Sequence, residues 1–321
     1  MSVIETTDLA KSYGKLTAVD GISMKVEKGE LFCLVGPDGA GKSTIIRMLC
    51  GIIAPSSGTA TVLGNDTQKD KSELVKKIGY LSQRFSLYGD LTVDENIEFF
   101  ARIHHVREFT ARREELLDFT RMKEARSRLA DKLSGGMKQK LALACTLIHS
   151  PEVIFLDEPT TGVDPVSRRD FWKILSNLLH EGITIFMTTP YLDEAERCTR
   201  VAMMNHGKLL DLDSPQNIRD KMRGEVYEII CSPVREAYLI VKGWNGVQEA
   251  QLYGDRLNLI VNPHENIIES VIDALKNKGI TISAWRKIPP RLENVFVSMM
   301  GHQSVTVSGE LQEISDANKS T

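Results

Sequence analysis

The run Gly36-Pro37-Asp38-Gly39-Ala40-Gly41-Lys42-Ser43-Thr44 constrains this chain more than any other stretch. It satisfies the pattern GxxxxGK(S/T) completely, and its flanks agree with it. Leu31-Phe32-Cys33-Leu34-Val35 reads as a short buried strand, and Thr44 to Leu49 continues as a helix that stops near Gly51. Strand, glycine-rich turn and helix in that order direct backbone N–H groups toward a phosphate chain. The glycines leave those groups approachable, and the helix start adds partial positive charge. Gly36, Asp38, Gly39, Ala40, Gly41, Lys42, Ser43 and Thr44 are the candidate contacts. Lys42 is expected to reach the β- and γ-phosphates, and the Ser43 hydroxyl to ligate Mg²⁺.

A phosphate loop of this kind needs a carboxylate on a neighbouring strand. Val153-Ile154-Phe155-Leu156 is all apolar and ends in Asp157, the candidate for Mg²⁺. Glu158 follows on the other side of the strand, where a carboxylate can orient or deprotonate an attacking water. Ile183 to Met187 forms a further apolar strand after the Gly182 stop of a helix built on Phe171 to His180. Strands this apolar require cover on both faces, so an α/β fold with a parallel sheet is expected.

Composition removes several classes. Forty Lys and Arg against 43 Asp and Glu give a formal charge of -3, which offers nucleic acid no basic surface, so none is expected as a partner. The five cysteines, Cys33, Cys50, Cys145, Cys198 and Cys231, show no CxxC spacing and are expected to be reduced core residues of a cytosolic protein. No signal pattern opens the chain and no run approaches a membrane span, so a membrane role would come through a partner.

Leu133-Ser134-Gly135-Gly136-Met137 opens a helix that continues through Leu141, Leu143, Ala144, Leu147 and Ile148. Ser134 suits an N-cap, and the two glycines leave the first-turn N–H groups open. Taken with GPDGAGKST and FLDEP, this segment resembles the signature of the ABC ATPase family, a P-loop NTPase fold with a helical subdomain. The resemblance covers residues 1–222, with the helical subdomain at about 85–150. It implies that ATP and Mg²⁺ are the cofactors and that the chain is an ATPase. Tyr13 then looks like the aromatic that stacks on adenine, Gln83 like the Q-loop residue that touches Mg²⁺, and Thr161-Gly162-Val163-Asp164 like the D-loop. In this family two ATP-binding domains close head to tail, so Ser134, Gly135 and Gly136 would cap the ATP of a second domain, either a copy of this chain or a related subunit. The segment Phe85 to Asn96 resembles the stretch that docks on an integral-membrane permease. A cytoplasmic protein, peripheral on the inner face of the membrane, is the implied location.

One position departs from the family. After the strand ITIFMTT the family usually places a histidine that contacts the γ-phosphate and the attacking water; here the residue is Pro190. Proline supplies neither a side-chain donor nor an N–H. Thr189 is expected to cap the next helix with Pro190 at its first position, and Asp193 and Glu194 to favour its dipole. Hydrolysis that is weak, or that depends on a partner domain, is the functional expectation.

From residue 223 to about 300 the pattern changes to βαββαβ, expected as a small α+β ferredoxin-like domain. Its strands are read at Glu225–Cys231, Val247–Tyr253, Leu257–Val261 and Ile280–Trp285, with Ser232-Pro233 and Asn262-Pro263 opening its helices. The block Pro289 to Phe296 resembles the accessory domain on ATPases of ABC-2 type exporters. Residues 301–321 are Ser-, Glu- and Lys-rich without periodicity, a disordered tail by composition. A soluble ABC ATPase acting on ribosomes or another macromolecule is the competing class, but translation factors of that family carry two ATP domains, and one motif set is present here.

Overall fold

The computed structural model describes residues 1–83, 87–262 and 267–300. The chain divides into two compact units, Met1–Asp213 and Ser214–Thr321. The first boundary therefore falls somewhat before the expected 222.

The first unit begins with β1 (Ser2–Tyr13) and β2 (Leu16–Glu27), an antiparallel pair whose inward residues Ile4, Leu9, Val19, Ile22 and Val26 are buried. β3 (Leu31–Val35) is buried at every position and leads into α1 (Lys42–Leu49). β4 (Ser57–Val62) and β5 (Asn65–Asp66) extend the first pair into a sheet of order β2-β1-β4-β5. After α2 (Lys71–Lys77) and β6 (Ile78–Leu81) come the helices of the expected helical segment, α3 (Val93–Ile103), α4 (Thr110–Phe119) and α5 (Gly135–Leu147). Thr92 and Glu95 close a reciprocal capping box at the start of α3. Asn96, fully buried, holds the preceding loop through the backbone of Tyr88, Leu91 and Thr92. Residues 85 and 86 of the expected docking segment lie outside the described residues.

β7 (Val153–Asp157), α6 (Pro165–His180), β8 (Thr184–Thr189), α7 (Leu192–Ala195), β9 (Arg200–Asn205) and β10 (Lys208–Asp213) complete the unit. The second sheet has the order β10-β9-β3-β8-β7-β6. Its five inner-run strands, β9 to β6, pair in parallel, and only β10 is antiparallel. Parallel pairing follows from the composition: β3, β7 and β8 are buried along their full length, so helices must cover both faces. All five cysteines are buried and free, as expected.

One local expectation fails. α7 is capped by Tyr191, not Thr189, and Pro190 lies ahead of it. Thr189 instead ends β8, and its hydroxyl accepts from the Tyr191 N–H at 3.1 Å. Pairing of β8 with β3 runs through Thr189, so the strand claims that residue before a helix can.

The second unit opens with α8 (Pro215–Asp220), capped by Ser214. β11 (Glu225–Ser232), α9 (Val234–Val241), β12 (Val247–Tyr253), β13 (Arg256–Val261), α10 (Ile268–Asn277) and β14 (Thr281–Ile288) follow the βαββαβ order. Their sheet is antiparallel throughout, with order β12-β13-β11-β14. Ala237, Val241, Ile268, Val271, Ile272 and Leu275 of the two helices pack with Ile229, Leu257 and Leu259 of one sheet face. Ser232 is not an N-cap: it ends β11, paired with Thr281, and Pro233 takes the cap position without a side-chain bond. Pro263, expected to open α10, lies outside the described residues, as does the tail at 301–321. Residues 292–300 are helical and bury Leu292, Val295 and Phe296; the Asn294 amide donates to Gln251 on β12 at 2.9 Å. Glu228 is buried on the sheet between the guanidinium groups of Arg286 and Arg256, at 2.8 and 3.0 Å. Burial works against its charge, but the two arginines outweigh it and hold its carboxyl below the usual range.

Candidate active site

Residues 36–44 sit where β3 ends and α1 begins, at the carboxyl edge of the parallel sheet, where open α/β sheets hold their ligands. Gly41 caps α1 at φ 103, a left-handed conformation, and no side chain closes the helix start. Gly36 and Gly41 are required by the fold itself. A Cβ on Gly36 would stand 2.2 Å from the Met204 carbonyl oxygen, and one on Gly41 would stand 2.2 Å from that of Ala18. Asp38, Gly39, Ala40, Gly41, Lys42, Ser43 and Thr44 line an open cavity of about 280 Å³ together with Ala18, Gln83 and Glu158.

Lys42 is buried, and its ammonium donates to the carbonyls of Gly36 and Pro37 at 2.8 and 3.0 Å. It also lies 3.3 Å from Glu158 Oε1. The loop therefore curls around its own lysine, fixing the cation beneath the cavity. Gln83 donates through Nε2 to Glu158 Oε2 at 3.0 Å, so the carboxylate is held from both sides.

Asp157 ends β7 fully buried. Its Oδ1 accepts from the Ser43 hydroxyl at 2.9 Å and from the Thr188 hydroxyl at 2.7 Å. Its Oδ2 is buried without a hydrogen-bond partner. A buried hard oxygen left unpaired beside a serine hydroxyl fits a Mg²⁺ ion, which takes one or two protein oxygens and keeps waters and phosphate for the rest. Glu158 has φ 50, left-handed for a residue other than glycine. Its N–H is fixed by both the hydroxyl and the carbonyl of Thr188, each at 3.1 Å.

The other expected site residues stand elsewhere. Tyr13, at the end of β1, is half exposed, with the Lys11 ammonium 5.3 Å from its ring centre, and it does not line the cavity. Ser134 caps α5, accepting from the Met137 N–H at 3.3 Å, and both it and Gly135 are exposed away from the cavity. Gly136 is buried, and a Cβ there would stand 2.3 Å from the Ser167 Oγ, so the close approach to α6 needs glycine. Asp164 caps α6 through the N–H groups of Val166 and Ser167, and the Ser167 side chain together with these bonds holds its carboxyl below the usual range.

Sequence reading missed the groups that hold the acidic pair in place. Thr188 links Asp157 to the Glu158 backbone, and Glu194 is buried in contact with Thr160, Arg168 and Thr189. Threonines in an apolar strand carry no signal of this; a buried acid four residues beyond Pro190 carries only a faint one.

A phosphate cradle at the head of a central strand, with an Asp–Glu pair ending the strand two places along, defines a P-loop nucleoside triphosphatase. Residues 19–161 match the family model described as ABC transporter. Among curated proteins, the chain is 42% identical over 224 residues to the probable multidrug ABC transporter ATP-binding protein YbhF of Escherichia coli (strain K12), covering 68% of this chain and 38% of that protein's length. It is 36% identical over 304 residues to the Nod factor export ATP-binding protein I of Sinorhizobium fredii, covering 94% of this chain and 86% of that one. A solved dimeric ATP-binding cassette, MJ0796 in a post-hydrolysis state bound to ADP and Pi, is 25% identical, with a TM-score of 0.61 over 66% of this chain and 98% of its own. This chain belongs to the ABC transporter ATP-binding family, and the fold of its first unit is that of an ABC ATPase cassette.

Proposed function

We infer that the chain is the ATP-driven motor subunit of an ABC-2 type exporter, acting as one of two ATP-binding domains beneath a membrane-embedded permease. The observation that carries this reading is that the site is half built. The cavity at residues 38–44 is open, while the second helix start, at Ser134 and Gly135, is exposed on the same unit outside it. Two helix starts suited to phosphate, kept apart within one chain, complete each other when two domains meet head to tail. The names of the relatives, a multidrug transporter component and a Nod factor export component, support the exporter assignment. We read the βαββαβ unit with its helix at 292–300 as the ferredoxin-like accessory domain of that exporter class.

In this scheme the loop N–H groups and Lys42 bind and orient the triphosphate, and Tyr13 and the partner's signature close over it. Ser43, Asp157 and Gln83 would hold Mg²⁺, which when bound neutralises charge developing on the β- and γ-phosphates. Glu158 orients the attacking water and takes its proton. ATP binding favours the closed pair, and that preference is what moves the permease. The permease would dock near the groove lined by Tyr80, Phe100, His104 and His149, a cavity of about 200 Å³ that also takes in the exposed side chains of Ile52 and Val75. There the His104 and His149 rings stack at 3.8 Å, and burial pushes His104 down to about 4, so the groove stays uncharged at neutral pH. Among the described residues no helix is long and apolar enough to cross a membrane, so contact with the bilayer is assigned to the permease.

Mild solubilisation of membranes carrying the tagged chain is the direct test: an integral-membrane subunit should copurify, and ribosomal proteins in its place would move the assignment to a soluble ABC ATPase. Pro190 sets a second expectation. Pro190→His should raise kcat of the isolated chain by about 10-fold or more, since a positioned polar contact contributes on that scale or above. Brisk turnover in the parent that Pro190→His leaves unchanged would rule out a hydrolysis defect at this position.

A further inference from the structure

Behind the Asp157–Glu158 pair lies a carboxylate that the hydrolysis scheme leaves unused. Glu194, on α7, is fully buried. Its Oε1 accepts from the Thr160 hydroxyl and from Arg168 Nε, each at 2.5 Å, and its Oε2 accepts from the Thr189 hydroxyl at 2.7 Å. A buried carboxylate is stable only when its oxygens are satisfied in this way, and charge-assisted bonds of this length fix geometry tightly. Arg168 is itself clasped by Asp193 at 3.0 Å and lies over the Tyr191 ring. Burial opposes its charge, but Glu194 and Asp193 outweigh that and raise its pKa.

Each hydroxyl donor belongs to a segment that borders Glu158. Thr160 stands in the turn that follows it, a turn closed by the Thr161 N–H on the Glu158 carbonyl at 3.2 Å. Thr189 follows Thr188, which holds the Glu158 N–H and the Asp157 carboxylate. Glu194 thus joins the turn after Glu158 to the end of β8 through one side chain. The junction matters because Glu158 occupies a sparsely populated left-handed conformation, which persists only where its surroundings over-determine it. The residue after Thr189 is Pro190, which offers neither an N–H nor a polar side chain to share that task.

We propose that Glu194 is a positioning residue for ATP hydrolysis, clamping the turn after Glu158 to the end of β8 so that the Glu158 carboxylate stays aimed into the cavity. The proposal rests on Glu158 acting on the attacking water.

The test is steady-state ATPase activity of the full chain, measured with equilibrium ATP binding and thermal unfolding. Thr160→Val, which keeps shape and removes one donor, should lower kcat about 10-fold while the Kd for ATP stays within about twofold, since small misplacements of a reacting group cost rate rather than affinity. Thr160→Ser, which keeps the hydroxyl, should recover most of that loss. Glu194→Gln should lower kcat further; if it does not fold, Thr160→Val decides. In a Glu158→Gln background, Thr160→Val should change the residual rate less than about twofold, because its effect runs through the missing carboxylate. A folded Thr160→Val that hydrolyses ATP at the parent rate overturns the proposal. So does a loss that persists undiminished in the Glu158→Gln background. Full activity in Glu158→Gln alone overturns the assigned role of Glu158 as well, which separates the two failures.

Discussion

Lys42→Ala should weaken ATP binding by about 10²-fold or more and abolish ATP-dependent function. A hydrogen bond from a charged donor contributes about 1.5–3 kcal/mol, and the lysine is expected to serve two phosphates. The structure adds a second consequence. Lys42 is buried and bonds to the carbonyls of Gly36 and Pro37, so the alanine variant leaves two loop acceptors and the Glu158 carboxylate without their cation. Each orphaned group costs about 1–3 kcal/mol where water cannot reach it, and the loop should loosen. Thermal unfolding alongside a titration with ATP separates the two effects: a folded variant with parent affinity for ATP would remove Lys42 from the phosphate site.

Glu158→Gln should produce the opposite division, retaining ATP while losing kcat by about 10²- to 10⁴-fold, the range that a positioned proton acceptor supplies. Glutamine matches the shape and can still meet Gln83 and Thr161, the present neighbours of Oε2. What disappears is the negative charge 3.3 Å from the Lys42 ammonium, in a site where both side chains are nearly inaccessible. That charge competes with phosphate for the same cation, so affinity for ATP should be equal to the parent's or higher. The variant should also accumulate as a nucleotide-bound dimer, since in the proposed scheme closure follows ATP binding and reopening follows hydrolysis. Sedimentation with and without ATP reads this directly. A Glu158→Gln chain that turns ATP over at the parent rate, or that stays monomeric at saturating ATP, contradicts the scheme at its two central points.

Most of the central machinery was legible because it depends on local order. GPDGAGKST between an apolar strand and a helix can form only one kind of cradle, and LSGGM carries its own N-cap in Ser134. The strand that ends in Asp157 declared itself by four consecutive apolar residues, Val153 to Leu156. Failures gathered where two elements compete for one residue. Thr189-Pro190 resembles a helix start, yet parallel pairing to β3 holds Thr189 in the strand and moves the cap to Tyr191. Ser232 likewise belongs to β11 by its pairing with Thr281, so it cannot cap α9.

Sequence alone therefore determined the elements of the candidate site: a phosphate loop, an acidic strand end and a signature helix each follow from contiguous residues whose backbone demands are met within a few positions. Only the tertiary structure decided how the acidic pair is held. Thr188, Thr189 and Glu194 reach Asp157 and the turn after Glu158 from a strand and a helix some thirty positions away in the chain. Gly36 and Gly41 are likewise fixed by the carbonyls of Met204 and Ala18, neither of which borders the loop in sequence. Such partners are chosen by packing, and packing brings together residues whose separation along the chain follows no period that a sequence pattern can reveal.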